Sequence, residues 1–233
     1  MNRKLKILGV VLITAIIIGG GFFGYIKYQN RETIIDLGDG WKSYHHNKIG
    51  VTVKVPEDAE QRKETMYIGN IFKIIFSSGL VKNIGSEWTN SADKFQNREE
   101  VFQDNLENFR RYYRTQKIPT EESCLNDDKV GKRCFIHQYK IGKEVKVKNK
   151  IGFIQYDIKE CTECANCKDD DNKCGIEGYI TIKIPGYKRS HFVSINADLL
   201  YQQNPYLKDI PFEDLGEEYI KLIEPYILEI DNF

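Results

Sequence analysis

The chain has 233 residues, 41% of them hydrophobic and 12% aromatic, and its formal net charge is zero. The first 27 residues hold four basic residues and no acidic one, which leaves 30 basic and 34 acidic residues in the remainder. This slightly acidic remainder gives no electrostatic basis for a nucleic-acid partner, and the aromatic content argues against disorder. We therefore expect one folded domain of about 200 residues.

An uncharged, mostly apolar run over residues 7–26 follows the basic segment 1–6. As a helix it would be about 30 Å long, which is enough to cross a bilayer's hydrocarbon core. The basic residues before it predict a single-pass cell-membrane protein with its amino terminus in the cytoplasm. Membrane lipid is then one partner, and the remaining chain is extracytoplasmic. A cleaved secretory signal is the alternative, although the run is long for one and no small-residue cleavage motif closes it.

Residues 27–40 are polar and end in a turn, so they are predicted to be a linker. Three valines, Val51, Val53 and Val55, alternate with polar residues and predict a strand that ends at Pro56. The run IFKIIF at 71–76 predicts a second strand, apolar enough to be central in a sheet.

A helix is predicted next, because Asn97 and Glu100 have the spacing of a capping box. The apolar residues Phe102, Leu106, Phe109 and Tyr113 fall on one face of that helix.

From Arg133 onward the apolar period changes to two, which predicts four successive antiparallel strands with one covered face. Their apolar positions include Phe135, Tyr139 and Ile141; Ile154, Tyr156 and Ile158; Ile180, Ile182 and Ile184; and Val193, Ile195 and Ala197. A last helix over 212–224 is interrupted by Pro225 before the apolar tail 226–230. The element order predicts an α+β sandwich.

The segment WKSYHHNKIGVTVKVPED at residues 41–58 resembles the opening hairpin of PsbP-like domains, a family named for an extrinsic subunit of the photosynthetic oxygen-evolving complex. The resemblance implies that residues 41–233 form an extracytoplasmic α/β/α sandwich around a mainly antiparallel sheet. It also implies a binding or assembly role without catalysis. Together with the predicted membrane anchor, this favours a binding or scaffolding protein with an envelope protein or polymer as partner. A cysteine-rich insertion at 161–174 departs from the family pattern, and a shared fold does not carry a specific function.

An even number of cysteines in an extracytoplasmic domain favours disulfides. The simplest pairing joins Cys124 to Cys134 and places two further bridges within residues 161–174, although six cysteines leave the connectivity open. The alternative is a thiol-redox or zinc-binding protein centred on the second group, although the overlapping spacing differs from that of most structural zinc sites. No cofactor is therefore expected, with zinc as the alternative. The six residues are Cys124, Cys134, Cys161, Cys164, Cys167 and Cys174.

No catalytic motif is present in the sequence, so we expect no catalytic residues and no enzymatic activity. Two histidines, His137 and His191, share a strand face with apolar residues and are interpreted as core-edge residues. The pair His45 and His46 lies in the expected hairpin turn and should be exposed; a hydrolase that uses it is the least favoured hypothesis. The acidic run at 169–171 fails the calcium-loop spacing and is interpreted as a solvated loop tip.

A lysine-rich stretch over residues 140–150 offers a candidate contact with anionic headgroups or an acidic envelope polymer. Around Val145 and Val147, the even-numbered lysines are expected to project on one face. The alternative is a strand edge or hairpin tip that lysine keeps soluble. The candidate contact residues are Lys143, Lys146, Lys148 and Lys150, with Lys140 just before them.

Overall fold

The computed structural model describes residues 14, 18–66, 71–88, 97–115, 120–127, 131–164, 176–187, 189–210 and 212–231. Its helices are α1 (residues 18–29), α2 (Arg98–Thr115), α3 (Ala197–Gln203) and α4 (Phe212–Ile223). Its strands are β1 (Glu32–Gly38), β2 (Trp41–His46), β3 (Val51–Pro56), β4 (Gln61–Met66), β5 (Ile71–Phe76), β6 (Val81–Trp88), β7 (Thr120–Asp127), β8 (Gly131–Val147), β9 (Lys150–Cys164), β10 (Ile176–Ile184), β11 (Arg189–Asn196) and β12 (Ile227–Ile230).

The strands form two antiparallel sheets. The smaller sheet has the order β1-β2-β3-β12, and the larger has the order β4-β5-β6-β11-β10-β9-β8-β7. One buried cluster contains residues of both sheets, and the ring of Tyr44 on β2 packs edge-on against Phe76 on β5. The two sheets therefore share a hydrophobic core.

Apolar residues at every second position of the strands give the large sheet one face that packs on the shared core. Cross-strand register aligns Ile154, Ile182, Val193 and Ile84, all of which are buried in the shared core. Helices α3 and α4 contribute Leu200 and other residues to that core, as does the small sheet. At roughly 2 kcal/mol for each fully buried branched aliphatic side chain, this face supplies much of the stabilising free energy.

Helix α2 packs against the opposite face of the large sheet, where the rings of Phe109 and Phe153 are stacked 5.5 Å apart between centroids. Its start is capped as predicted, because the Glu100 backbone N–H donates to the Asn97 side-chain oxygen at 2.8 Å. The buried Asn105 side chain donates to the carbonyls of Gly186 (2.8 Å) and Tyr187 (3.2 Å). These bonds fix the chain that leads into β11.

Several sequence-based predictions of secondary structure are confirmed. The valine alternation forms β3, whose three valines are fully buried, and residues 71–76 form β5. The four strands predicted from Arg133 are β8 to β11, and they pair antiparallel in sequence order. The apolar tail after Pro225 adds a strand, β12, which pairs with β3.

The predicted fold class, a transmembrane helix followed by an α/β/α sandwich, is wrong. The part of the chain that the structure describes is mostly β, with two antiparallel sheets, because β1, β2, β3 and β12 pair with one another instead of joining the larger sheet. Residues 28–40, predicted within a polar linker, contain β1, which pairs with β2.

The predicted transmembrane helix over residues 7–26 is also corrected. Within the described ranges, no helix is long and apolar enough to span a membrane. The described part of α1 covers residues 18–29, about 18 Å of helix at 1.5 Å per residue, and it includes Lys27. Residues 7–13 and 15–17 lie outside the described residues.

Candidate ligand-binding site

A pocket of about 190 Å³ lies where β6 ends and β11 begins. We call it the Arg189 pocket. Its walls come from α1, the β2–β3 turn, the start of α2 and the large sheet. The lining residues are Tyr25, Gln29, Asn47, Lys48, Trp88, Arg98, Tyr187, Arg189 and His191.

Antiparallel register builds the floor of the pocket. The backbones of Trp88 and Arg189 are direct partners across the β6–β11 ladder. The Arg189 guanidinium carbon lies 4.6 Å from the Trp88 ring centroid, which is a cation–π contact. The ladder therefore places a guanidinium flat against an indole at the edge of a cavity.

The β2–β3 turn is attached to this floor through one backbone carbonyl. The Lys48 oxygen accepts hydrogen bonds from Arg189 Nη1 at 2.8 Å and from Ser86 Oγ at 3.2 Å. The Lys48 ammonium lies 4.3 Å from the Phe72 ring centroid. The charges of Lys48 and Arg189 are close enough to interact, because the charge of Arg189 lowers the pKa of Lys48.

Two buried histidines hold the same turn from either side. His46 Nδ1 accepts a hydrogen bond from the Lys48 backbone N–H at 3.2 Å, and His191 Nδ1 contacts the Ile49 carbonyl. Since a carbonyl can only accept, His191 carries its proton on Nδ1. Burial lowers the pKa of each imidazole to about 4, so both rings are neutral near pH 7.

Helix α1 and the start of α2 also contribute to the walls of the pocket. Tyr25 and Gln29 of α1 face the pocket, and the Asn47 side chain donates to the Tyr28 carbonyl at 3.1 Å. Arg98, the first residue of α2, places its guanidinium carbon 5.3 Å from the Tyr187 ring centroid. A second pairing of guanidinium and aromatic ring therefore borders the cavity.

The structure contradicts the expected exposure of His46 and agrees with the interpretation of His191. His46 was expected to be exposed but is fully buried, because β2 extends through it and its ring packs on Phe72, 4.9 Å between centroids. His45 is half-buried and bonded to the Thr52 hydroxyl at 3.0 Å. His191 is buried, as expected of a core-edge residue, and lines the pocket, and His137 lies on β8.

The predicted lysine surface lies away from this pocket. Lys148 and Asn149 form the β8–β9 hairpin turn with φ values of 45° and 63°, so Lys148 does not continue a strand face. Lys146 and Lys148 are exposed and Lys150 is half-buried; Lys140 and Lys143 lie on β8. Contact of these lysines with an anionic surface stays a prediction.

The structure describes four of the six cysteines, which lie on the neighbouring strands β7, β8 and β9. Cys124 on β7 and Cys134 on β8 are direct ladder partners and are joined by a disulfide. Cys161 and Cys164 lie on β9 opposite Phe135 and Arg133, while Cys167, Cys174 and the acidic run 169–171 lie outside the described residues. Among the residues that the structure describes, no three His, Cys, Asp or Glu side chains are grouped to hold a metal ion. The zinc and thiol-redox alternatives therefore stay predictions.

Replacing Cys124 and Cys134 together by serine should lower the free energy of unfolding by roughly 2–3 kcal/mol. The bridge closes a loop between positions ten residues apart and so restricts the unfolded chain. Guanidinium titration of the oxidised protein and the double variant measures the difference, and peptide mapping without reductant verifies the bridge. Coincident unfolding midpoints would contradict the prediction.

Comparison with known proteins adds no assignment to this site. No protein-family model matches the chain, and no curated protein matches it. The resemblance of residues 41–58 to PsbP-like domains accordingly stays a prediction.

Sequence reasoning missed the residues that form the pocket. Trp88, Arg98 and Arg189 belong to no motif, and they lie far apart in the sequence. The sequence did show a tryptophan at the end of one apolar strand and an arginine at the start of another. Only the order of the strands in the sheet makes these two residues neighbours.

Proposed function

We propose that this chain is a binding module that takes a small ligand in the Arg189 pocket without transforming it. The observation that carries the proposal is the pocket itself, in which separate elements bring cationic and aromatic side chains to one cavity. Ligand sites are commonly concave, aromatic-lined and equipped with a few fixed polar groups. The contacts of Arg189 with Trp88 and with the Lys48 carbonyl hold such a group in place.

The acid–base character of the pocket supports binding over catalysis. None of the nine described residues that line it is a carboxylate. Its one histidine, His191, has a pKa lowered to about 4 by burial, which makes it a weak general base at neutral pH.

We place this module in an oxidising, extracytoplasmic compartment. The support is the Cys124–Cys134 disulfide, since such bonds persist mainly outside the reducing cytosol. An envelope protein or polymer remains a proposed further partner, and the Arg189 pocket gives no support for it.

Replacing Trp88 by alanine should abolish ligand binding, because the substitution removes one wall of the pocket and the surface on which Arg189 rests. Ligand-observed NMR with a set of positive, neutral and negative organic fragments provides the test. Fragments that bind should compete with one another and be recovered unchanged.

Trp41→Ala is the matched control, since Trp41 lies on the small sheet and packs against Tyr226, 5.8 Å between ring centroids. Fragment binding should survive this substitution. A fragment set without any binder, or binders retained by Trp88→Ala, would refute the proposed function.

A further inference from the structure

The Arg189 pocket contains three cationic side chains, Lys48, Arg98 and Arg189. Its nine described lining residues include no acid that could neutralise them. Burial lowers the pKa of Lys48, and the nearby charge of Arg189 lowers it further. Burial also lowers the pKa of Arg189. Like charges brought together in a partly desolvated cavity are electrostatically unfavourable, and a bound anion would offset this cost.

The two guanidinium groups are positioned before any ligand arrives. Arg189 is fixed by the Lys48 carbonyl and the Trp88 ring, and Arg98 lies against Tyr187. Asn105 fixes the backbone of Tyr187 through its side-chain amide. A guanidinium presents several N–H donors in a rigid plane, which suits the oxygens of a phosphate or carboxylate.

The same cavity has an apolar part. Trp88 is 45% exposed although its ring is covered on one side by Arg189, and Tyr25 and Tyr187 also line the cavity. Aromatic faces of this kind stack with planar rings. A ligand that combines a ring with an acidic group would use both parts of the pocket.

We propose that the Arg189 pocket binds a small molecule carrying a phosphate-type oxyanion next to a planar ring. This inference rests on the proposed function and specifies its ligand class. A phosphate monoester is preferred over a carboxylate because it carries nearly two negative charges near neutral pH, facing three cations.

Tryptophan fluorescence tests the inference directly. The chain has two tryptophans, so Trp41→Phe leaves Trp88 as the only one and makes the signal specific for the pocket. Phenyl phosphate, benzoate and benzyl alcohol are titrated into this full-chain variant at constant ionic strength. Phenyl phosphate should bind at least tenfold more tightly than benzyl alcohol, and benzoate should fall between them.

Arg98→Gln in the same background should weaken phenyl phosphate binding about tenfold or more, which corresponds to the loss of one charge-assisted hydrogen bond. Benzyl alcohol binding should change less than twofold. Arg111→Gln is the matched control, because Arg111 is an exposed residue of α2 that does not line the pocket. It should leave both affinities unchanged.

The outcomes separate this inference from the proposed function. The oxyanion assignment would be overturned if benzyl alcohol bound as tightly as phenyl phosphate, or if Arg98→Gln left the affinity for phenyl phosphate unchanged. In either case, loss of fragment binding in Trp88→Ala would still support the proposed function of the pocket. No response of Trp88 to phenyl phosphate at 10 mM, about the weakest affinity that such a titration detects, would also overturn it.

Discussion

Lowering the pH from 7 to 4 is expected to reduce the free energy of unfolding by several kcal/mol. The cause is the pair of buried histidines that hold the β2–β3 turn, His46 and His191, which are 0% and 2% exposed. Burial is the main reason that the pKa of each falls to about 4 in the folded chain, compared with about 6.5 when unfolded.

The direction of the effect follows from proton linkage. Between pH 6.5 and 4 the unfolded chain binds protons at both imidazoles and the folded chain does not, so stability falls as the pH falls. Above pH 6.5 both states are neutral at these positions and the full stability is present. With a pKa of about 4 when folded and 6.5 when unfolded, each ring removes about 3 kcal/mol of stability by pH 4.

Charges near the two imidazole rings partly oppose and partly reinforce the lowering of their pKa values. Near His46, Glu32 favours the protonated ring, while Lys63, Lys48 and His45 disfavour it. Near His191, both Arg189 and Lys150 disfavour protonation, and the Ile49 carbonyl favours it. Protonation of His46 at Nδ1 would also remove the acceptor of the Lys48 N–H.

Urea titrations at several pH values from 7 to 4 measure this dependence. His46→Asn and His191→Asn should each flatten it, because asparagine presents a polar group near the Nδ1 position but does not titrate. In His45→Asn both buried rings remain, so the steep dependence should remain. An unchanged slope in the His46 and His191 variants would show that other groups cause the acid sensitivity.

Gly178→Ala is expected to destabilise the fold by about 3 kcal/mol or more. Gly178 lies on β10 with φ near 125°, a conformation that residues with a side chain rarely adopt. A Cβ atom there would lie 2.0 Å from the Asp157 carbonyl oxygen and 3.1 Å from the Ile158 Cα. These are backbone atoms of the neighbouring strand, so relief requires the central sheet itself to shift.

Gly152→Ala provides the comparison within the same sheet. A Cβ atom at Gly152 would meet the Ile182 Cγ2 atom at 3.3 Å, a contact that a small side-chain movement relieves. Its effect should stay within about 1 kcal/mol. Equal losses for the two variants, measured by chemical unfolding, would contradict the proposed role of backbone geometry at Gly178.

Local patterns allowed many elements to be predicted. The alternation of Val51, Val53 and Val55 predicted β3 because one face of that strand is buried, and the Asn97 cap predicted the start of α2 because the capping bond is local. The last strand was seen only as an apolar tail, since its pairing partner is at the other end of the chain.

The division of the strands into two sheets and the location of the pocket could not be predicted from local sequence patterns. Whether β2 and β3 join the large sheet or form a second one is decided by long-range packing, such as that of Tyr44 on Phe76. The burial of His46 follows from the same packing. The pocket depends on the β6–β11 register, which brings Trp88 beside Arg189.

The pairing of β12 with β3 joins Ile227 to Val53, two positions near opposite ends of the described chain. The small sheet therefore lacks one strand until β12 has left the ribosome, long after β3, whereas the β8–β9 hairpin can form as soon as its own residues emerge. During synthesis, the local hairpins of the large sheet can therefore form before the small sheet is complete. The folding intermediate most exposed to aggregation would then be one in which β3 offers an open edge.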